Sequence, residues 1–187
     1  RVILHRGFGQ TSIEHQVPNR PDTVFQIASV AKPFTAAAIM LLAEQGRIDL
    51  HAPLNAILPD YPNGARLTVH HLLTHTSGIP NINDFPEYAE IQRRPHSPTE
   101  LVAYFRDRPL EFEPGERYEY SNSNYNLLAL VIERASGMDF GNFLRSAIFD
   151  PLGLRQTGHH GSASQIIPGI ATGYAPAGSL DLERATY

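Results

Sequence analysis

Residues 27–46 read Ile27-Ala28-Ser29-Val30-Ala31-Lys32-Pro33-Phe34-Thr35-Ala36-Ala37-Ala38-Ile39-Met40-Leu41-Leu42-Ala43-Glu44-Gln45-Gly46, and they carry the only lysine of the chain. Every other basic residue, histidine aside, is arginine. Between Val30 and Ala43 only Lys32 and Thr35 are polar, while Phe34, Ala37, Ala38, Leu41 and Leu42 recur at i, i+3, i+4, i+7 and i+8. That pattern predicts a helix buried on nearly all sides. An ammonium group on such a helix loses hydration at a cost unless it is paired or deprotonated, which makes Lys32 a candidate base. Ser29 stands three residues earlier on the same helical face, close enough for its hydroxyl to meet that amine. Arginine could not substitute, because its guanidinium does not deprotonate in proteins. One deprotonatable amine is therefore set beside a hydroxyl that can serve as a nucleophile.

Pro33 narrows where this helix begins. It lacks an N–H and disfavours helical geometry at Lys32, so it is tolerated only if the helix has just started near Ser29. Ser29 is thus expected at the helix N-terminus, where free amide groups and the dipole stabilise developing negative charge. Gly46 follows the last apolar residues, in the position that ends helices with a left-handed residue.

Working outward, residues 2–4 and 8–17 read as two strands joined by a glycine-bearing turn, and 67–73 as a helix running on to Gly78. From Pro80 to Pro95 the chain is rich in Pro, Asn and Asp without a period, which predicts a long loop with one short helical turn at most. Ser97-Pro98-Thr99-Glu100 is a capping box with proline at the first helical position, opening a helix through Leu101, Val102, Tyr104 and Phe105. Arg117 to Tyr120 is a short extended run. A buried helix is expected from Tyr125 to Ser136, closed by Gly137, and Asp139 caps another through Phe143, Leu144, Ala147 and Ile148. After Pro151 the sequence turns loop-like, with Gly153, Gly158, Gly161, Gly169, Gly173 and Gly178. There is no internal repeat and no linker, so residues 1–187 read as one α+β domain: a helical region plus part of an antiparallel sheet. A lone strand pair is marginal and needs further strands or a helix to pack on. The N-terminus, which begins in an apolar run without Met or a signal-type core, reads as a processed or truncated start.

Composition removes several classes of function. The chain has 187 residues, 42% of them hydrophobic, and a formal net charge of -4. With no basic run or stripe, nucleic acid is not expected as a partner. No apolar run approaches the roughly 18 residues of a membrane span, so the chain reads as soluble. The absence of cysteine excludes disulfides and thiolate metal sites and leaves the compartment open. His71 and His75 have the i, i+4 spacing of two helix-borne ligands, but no zinc-protease glutamate or third ligand accompanies them, and a metal is not expected. No cofactor motif is present: the chain lacks a Gly-x-Ser-x-Gly elbow and a phosphate-cradling glycine loop.

Tyr120-Ser121-Asn122 forms a second constellation. A phenol can shuttle a proton, and an amide two residues away can hydrogen-bond both a lysine and a substrate carbonyl. Read alone, it is also an Asn- and Ser-rich turn capping the next helix.

Together these segments resemble the serine β-lactamase and penicillin-binding-protein superfamily, in the branch of class C β-lactamases, D-alanyl-D-alanine carboxypeptidases and esterases. The likeness extends through residues 25–50, Leu72-Leu73-Thr74-His75-Thr76-Ser77-Gly78, Glu113-Pro114-Gly115, Pro151-Leu152-Gly153-Leu154 and Thr157-Gly158, in order. It implies a β-lactamase/transpeptidase-like fold. It also implies Ser29 as the acylated nucleophile, Lys32 as the partner that deprotonates it, Tyr120 as proton acceptor and donor, and Asn122 as the residue that orients the lysine and the substrate carbonyl. The reaction implied is two-step acyl transfer on an ester, a small amide or a D-amino-acid peptide, with β-lactam hydrolysis less favoured. It requires no metal and no cofactor, and the backbone N–H of Ser29 is one oxyanion donor. A periplasmic or secreted location is compatible with it.

One element of that family is not found. Its third motif, Lys-Thr-Gly or His-x-Gly on a late strand, cannot be Lys-Thr-Gly here because no second lysine exists. His159-His160-Gly161 and His5-Arg6-Gly7 match His-x-Gly as text but stand in the wrong places in the family order. The chain therefore reads as the front and middle of a larger domain, with a non-catalytic binding module or an inactive fragment as the alternative reading.

Overall fold

Pro33 has no N–H to return to the carbonyl of Ser29, so α-helical bonding cannot close over the serine. In the computed structural model, which describes residues 1–161, 165–176 and 182–184, a 3-10 turn over Ala28–Ala31 comes first, and helix α1 follows as Lys32–Glu44. Ser29 thus lies in the tight turn ahead of the helix, and the free amides of the α1 N-terminus begin beyond it. This corrects the expectation that Ser29 opens the helix itself. At the other end Gly46 adopts φ +70°, its N–H bonds Ala43 O at 2.9 Å, and that of Arg47 bonds Leu42 O at 2.9 Å. These two bonds complete a Schellman cap.

The expected all-round burial of α1 does not hold. Thr35, Ala38, Ile39 and Leu42 are buried, whereas Pro33, Ala37, Met40 and Glu44 line an exposed face, with Met40 52% accessible. Alanine and methionine on an outer face are indistinguishable by hydropathy from the same residues in a core.

The structure divides into two compact units, Val30–Ser162 and the pair of segments Arg1–Ser29 and Ala163–Tyr187. The first unit is helical. After α1 come α2 (Val69–Leu73), α3 (Tyr88–Ile91), α4 (Pro98–Ala103), α5 (Asn122–Ser136) and α6 (Phe140–Leu144), the last continuing into a wider π-type turn over Arg145–Phe149. Helix α5 is the hub and packs on α1, α2, α4 and α6. Its residues Leu127, Leu128, Val131 and Ile132 join Ile39, Leu42, Leu54, Leu67, Leu72 and Phe105 in one apolar cluster.

Helix α2 ends earlier than expected, because His75 takes a left-handed φ of +56° and turns the chain three residues before Gly78. The loop from Pro80 to Pro95 holds two short helical pieces rather than one, a 3-10 turn at Ile82–Asp84 and α3. Helix α5 starts at Asn122, three residues ahead of Tyr125, so Asn122 sits in a first helical turn rather than in an extended segment. Gly137 closes that helix at φ +72°, and the Asp139 side chain caps α6 by accepting from Asn142 N at 3.1 Å.

The capping box of α4 forms in full. Ser97 Oγ accepts from Glu100 N at 3.3 Å, and the Glu100 carboxylate accepts from Ser97 N at 2.7 Å. The Ser97 N–H, and then the Ser97 hydroxyl, which donates to the same carboxylate at 2.8 Å, hold the Glu100 carboxyl below its ordinary value, so the box weakens as pH falls through that depressed value. Ser97→Ala is expected to cost about 1 kcal/mol, measured by urea unfolding.

In the second unit β1 (Gln10–Ser12) pairs antiparallel with β2 (Val17–Pro18) in an irregular register. Residues 2–4 form no strand, a correction to the sequence reading: Ile3 is 94% accessible, and no strand partner accompanies this run among the described residues. Strands β3 (Tyr174–Pro176) and β4 (Leu182–Arg184) form an antiparallel ribbon in a region read as loop. Gly178 lies outside the described residues. Val24 bridges Ile170 in parallel, and Ile13 N donates to the Tyr174 hydroxyl at 2.8 Å.

Candidate active site

Two stretches of chain run beside one another and build a platform under the lysine. Glu111 N bonds Gly78 O at 2.8 Å, Gly115 N bonds Thr76 O at 2.8 Å, and Glu119 N bonds His75 O at 2.9 Å. The run then enters α5, whose first turn is held by side chains of the segment after α2. Asn81 Oδ1 accepts from Asn122 N at 3.0 Å, taking one of the amides that a helix start leaves unpaired. Ser123 Oγ donates to Pro80 O at 2.6 Å and accepts from Ile82 N at 2.9 Å. Ser77 Oγ donates to Asn124 Oδ1 at 2.5 Å. Ser77, Ser123 and Asn124 are buried and bonded, which makes this polar layer rigid rather than costly.

Above the platform three of the expected site residues come together. Lys32 Nζ donates to Asn122 Oδ1 at 2.8 Å across ninety positions of sequence. The Tyr120 hydroxyl donates to the same oxygen at 3.2 Å. The amine also lies 4.9 Å from the ring centroid of Tyr120 and 5.5 Å from that of Tyr125, within cation–π range of both. Lys32 is half-buried rather than enclosed. The fourth residue, Ser29, is the second of the turn Ala28–Ala31 that feeds into α1. Ala28 before it has φ +44°, uncommon for a residue with a Cβ.

The Asn122 amide has a determined orientation. Its oxygen faces two donors, and its Nδ2 donates to Asn83 Oδ1 at 2.8 Å, leaving one amide hydrogen for another acceptor. Asn81 and Asn83 were not singled out from the sequence, where they are part of an aperiodic Pro- and Asn-rich loop. Their roles become visible only when that loop is laid against the start of α5.

His71 and His75, paired by spacing alone, turn to different neighbours. The ring of His70 adjoins both His71 and His51, whereas the ring of His75 faces Tyr118, Tyr120 and Tyr125. Burial, and then the charge of Lys32, lower the pKa of His75, and burial followed by the phenol of Tyr120 raises that of Tyr125. His159 of the His-x-Gly text match packs edge-on against Phe140, 5.2 Å between centroids, and lines a cavity with His96, Glu133 and Asp139. None of these is an expected site residue.

Among the described residues no helix is long and apolar enough to cross a membrane. The family model for Beta-lactamase matches residues 1–186. Penicillin-binding protein 4* of Bacillus subtilis (strain 168) is 34% identical over 158 residues, covering 83% of this chain and 35% of that protein. The solved structure of a penicillin-binding protein from Bacillus halodurans superposes with a TM-score of 0.84 at 31% identity, over 95% of this chain and 54% of the other. The D-amino acid amidase from Ochrobactrum anthropi SV3, complexed with L-phenylalanine amide, gives 0.80 at 31% identity, over 92% of this chain and 49% of the other. The chain spans between about a third and about half of the length of these relatives. Its helices and antiparallel ribbons share the β-lactamase/transpeptidase-like α+β fold of these neighbours, and the chain belongs to the β-lactamase family of serine hydrolases.

Proposed function

We propose that the protein is a serine hydrolase that works through an acyl-enzyme on Ser29 and acts on an ester, an amide or a D-amino-acid peptide. The observation that carries this reading is the convergence of Lys32 Nζ and the Tyr120 hydroxyl on Asn122 Oδ1, at 2.8 and 3.2 Å. That arrangement links an amine and a phenol, the two groups that can move a proton, through one shared acceptor. The D-amino acid amidase among the structural relatives supports an amide of a D-amino acid as a substrate class.

In this mechanism the Lys32–Tyr120 pair reacts with one proton fewer than in its resting arrangement, and it accepts the Ser29 hydroxyl proton while Oγ attacks the substrate carbonyl carbon. The Ser29 N–H supports the oxyanion, and the free hydrogen of Asn122 Nδ2 supports the acyl group's own polar atoms. As the C–O or C–N bond breaks, the proton passes from the Lys32–Tyr120 pair to the leaving alcohol or amine. Water then attacks the Ser29 ester along the reverse proton path, releasing the acid and restoring the hydroxyl.

A fluorophosphonate probe tests the proposal. Mass spectrometry is expected to find one adduct, on the peptide containing Ser29, and Ser29→Ala is expected to lose it entirely. A folded wild-type chain that takes up no probe would overturn the reading and leave a non-catalytic module.

A further inference from the structure

His75 is buried at 8% accessibility, holds a left-handed backbone at φ +56°, and belongs to no step of the mechanism above. Left-handed φ costs a residue with a Cβ about 1–2 kcal/mol, and strain of this kind persists only where the surroundings over-determine it. The surroundings here converge on a single neighbour. The His75 carbonyl accepts from Glu119 N at 2.9 Å, and its Nδ1 accepts from Ser121 N at 3.2 Å. Both residues adjoining Tyr120 are therefore held by one histidine, through its main chain on one side and its side chain on the other. Its ring also lies against the Tyr120 ring, 4.6 Å between centroids at 31°. Asn124 Nδ2 lies 3.3 Å from the same Nδ1 and, oriented as a donor, reinforces its role as acceptor.

A backbone N–H aimed at Nδ1 can be accepted only when that nitrogen carries no proton, which assigns the ring hydrogen to Nε2. Protonating Nδ1 would set two hydrogens against each other at Ser121 and add a second cation beside Lys32. The titratable groups facing the ring are Lys32 from α1, Tyr118 and Tyr120 from the run before α5, and Tyr125 from α5. Lys32 is the charged one among them, and it opposes protonation of the imidazole.

We propose that His75 is a positioning residue that acts through Tyr120, gripping the chain on both sides of the tyrosine and packing on its ring, and that it does so only as the neutral Nε2–H tautomer. The catalytic part of this proposal rests on the acyl-enzyme reading; the hold on Tyr120 does not. Left-handed backbone together with an acceptor near the ring root is available from few residues. Asparagine tolerates that φ and places Oδ1 close to where Nδ1 stands, whereas phenylalanine keeps a ring and loses the acceptor.

The sign of the pH effect follows from the lowered pKa of His75. Its neutral form is favoured by folding, so the contribution is fully present above the ordinary histidine value of about 6.5 and is lost as pH falls towards and through the depressed one.

The test uses two readouts on wild type, His75→Asn and His75→Phe. Long-range nitrogen NMR of the wild-type imidazole is expected to show an unprotonated Nδ1, and the Tyr120 ring resonances are expected to shift with the midpoint of His75. In His75→Asn that midpoint disappears from the Tyr120 signals. With p-nitrophenyl acetate, kcat of His75→Phe is expected to fall about 100-fold at little change in KM, the scale of a misplaced catalytic group. His75→Asn is expected to recover part of that rate and to lose the acidic limb that follows His75 in the wild type. A protonated Nδ1, Tyr120 signals unaffected by the His75 titration, or wild-type kcat in His75→Phe would each overturn the proposal. An inert wild type in which Tyr120 still follows His75 would support the hold on Tyr120 while overturning the acyl-enzyme reading.

Discussion

Lys32→Arg is expected to give a folded protein that acylates about 100- to 10,000-fold more slowly than the wild type, the range assigned to a positioned general base. The substitution keeps the positive charge, a donor for Asn122 Oδ1 and a cation over the Tyr120 and Tyr125 rings, which are among the contacts Lys32 makes in the structure. It removes the amine's capacity to give up a proton, which a guanidinium lacks in proteins. The expected rate loss corresponds to about 3–5 kcal/mol of transition-state stabilisation, whereas the half-buried position leaves room for a longer side chain to redirect towards water. Burst kinetics with p-nitrophenyl acetate would measure acylation, and circular dichroism would check the fold. An arginine variant acylating within a few fold of wild type would show that Lys32 acts as a fixed charge and would remove it from the proton path. Lys32→Met is the matching control. It loses the charge as well as the base, so comparison with Lys32→Arg separates electrostatic support of Tyr120 and Asn122 from proton transfer.

The meeting of Lys32, Tyr120 and Asn122 was legible only through the family resemblance: read alone, Tyr120-Ser121-Asn122 is also a turn capping the next helix, and ninety positions separate Asn122 from the lysine. The caps were legible from spacing itself. Ser97 with Glu100, Asp139, Gly46 and Gly137 each act on residues within four positions, and local bonding is what sequence spacing encodes. The failures are of another kind. The outer face of α1 reads as core because exposure depends on what lies opposite, not on hydropathy. Residues 2–4 read as a strand because apolar runs carry no record of a partner. The sequence pairs His75 with His71 by spacing alone, whereas the structure buries it. What spacing could not show is that its carbonyl, ring and Nδ1 meet Glu119, Tyr120 and Ser121, which lie forty-four to forty-six positions away. Asn81 and Asn83 escaped notice for the same reason, since both act on Asn122 from a loop with no period of its own.

Gly78→Ala is expected to be the most damaging small substitution in the platform. Gly78 has φ +75°, and a Cβ built on it would stand 2.2 Å from the carbonyl oxygen of Phe112, with the Phe112 carbon and nitrogen at 3.2 and 3.3 Å. The obstacle is backbone, so no side chain can swing away to make room. Nor can the two runs separate cheaply, because Glu111 N to Gly78 O and Gly115 N to Thr76 O tie them on both sides of the clash. The left-handed φ contributes about 1–2 kcal/mol and overpacking about 1–3 kcal/mol more, a loss of about 3 kcal/mol in all. Gly46 supplies the comparison that isolates the contact: it has nearly the same φ, +70°, and nothing within 4 Å of its would-be Cβ. Gly46→Ala should therefore show only the conformational part, about 1–2 kcal/mol. Urea unfolding of both variants reads the difference. Equal losses would mean that the two runs part without cost; the bonds from His75 to Glu119 and Ser121 would then be too loose to fix Tyr120, and the rigid platform argued for the site would be wrong. A larger loss at Gly78, together with weakened probe labelling of Ser29 in the folded variant, would show that the close approach of residues 78 and 112 is what keeps the tyrosine and the lysine in register.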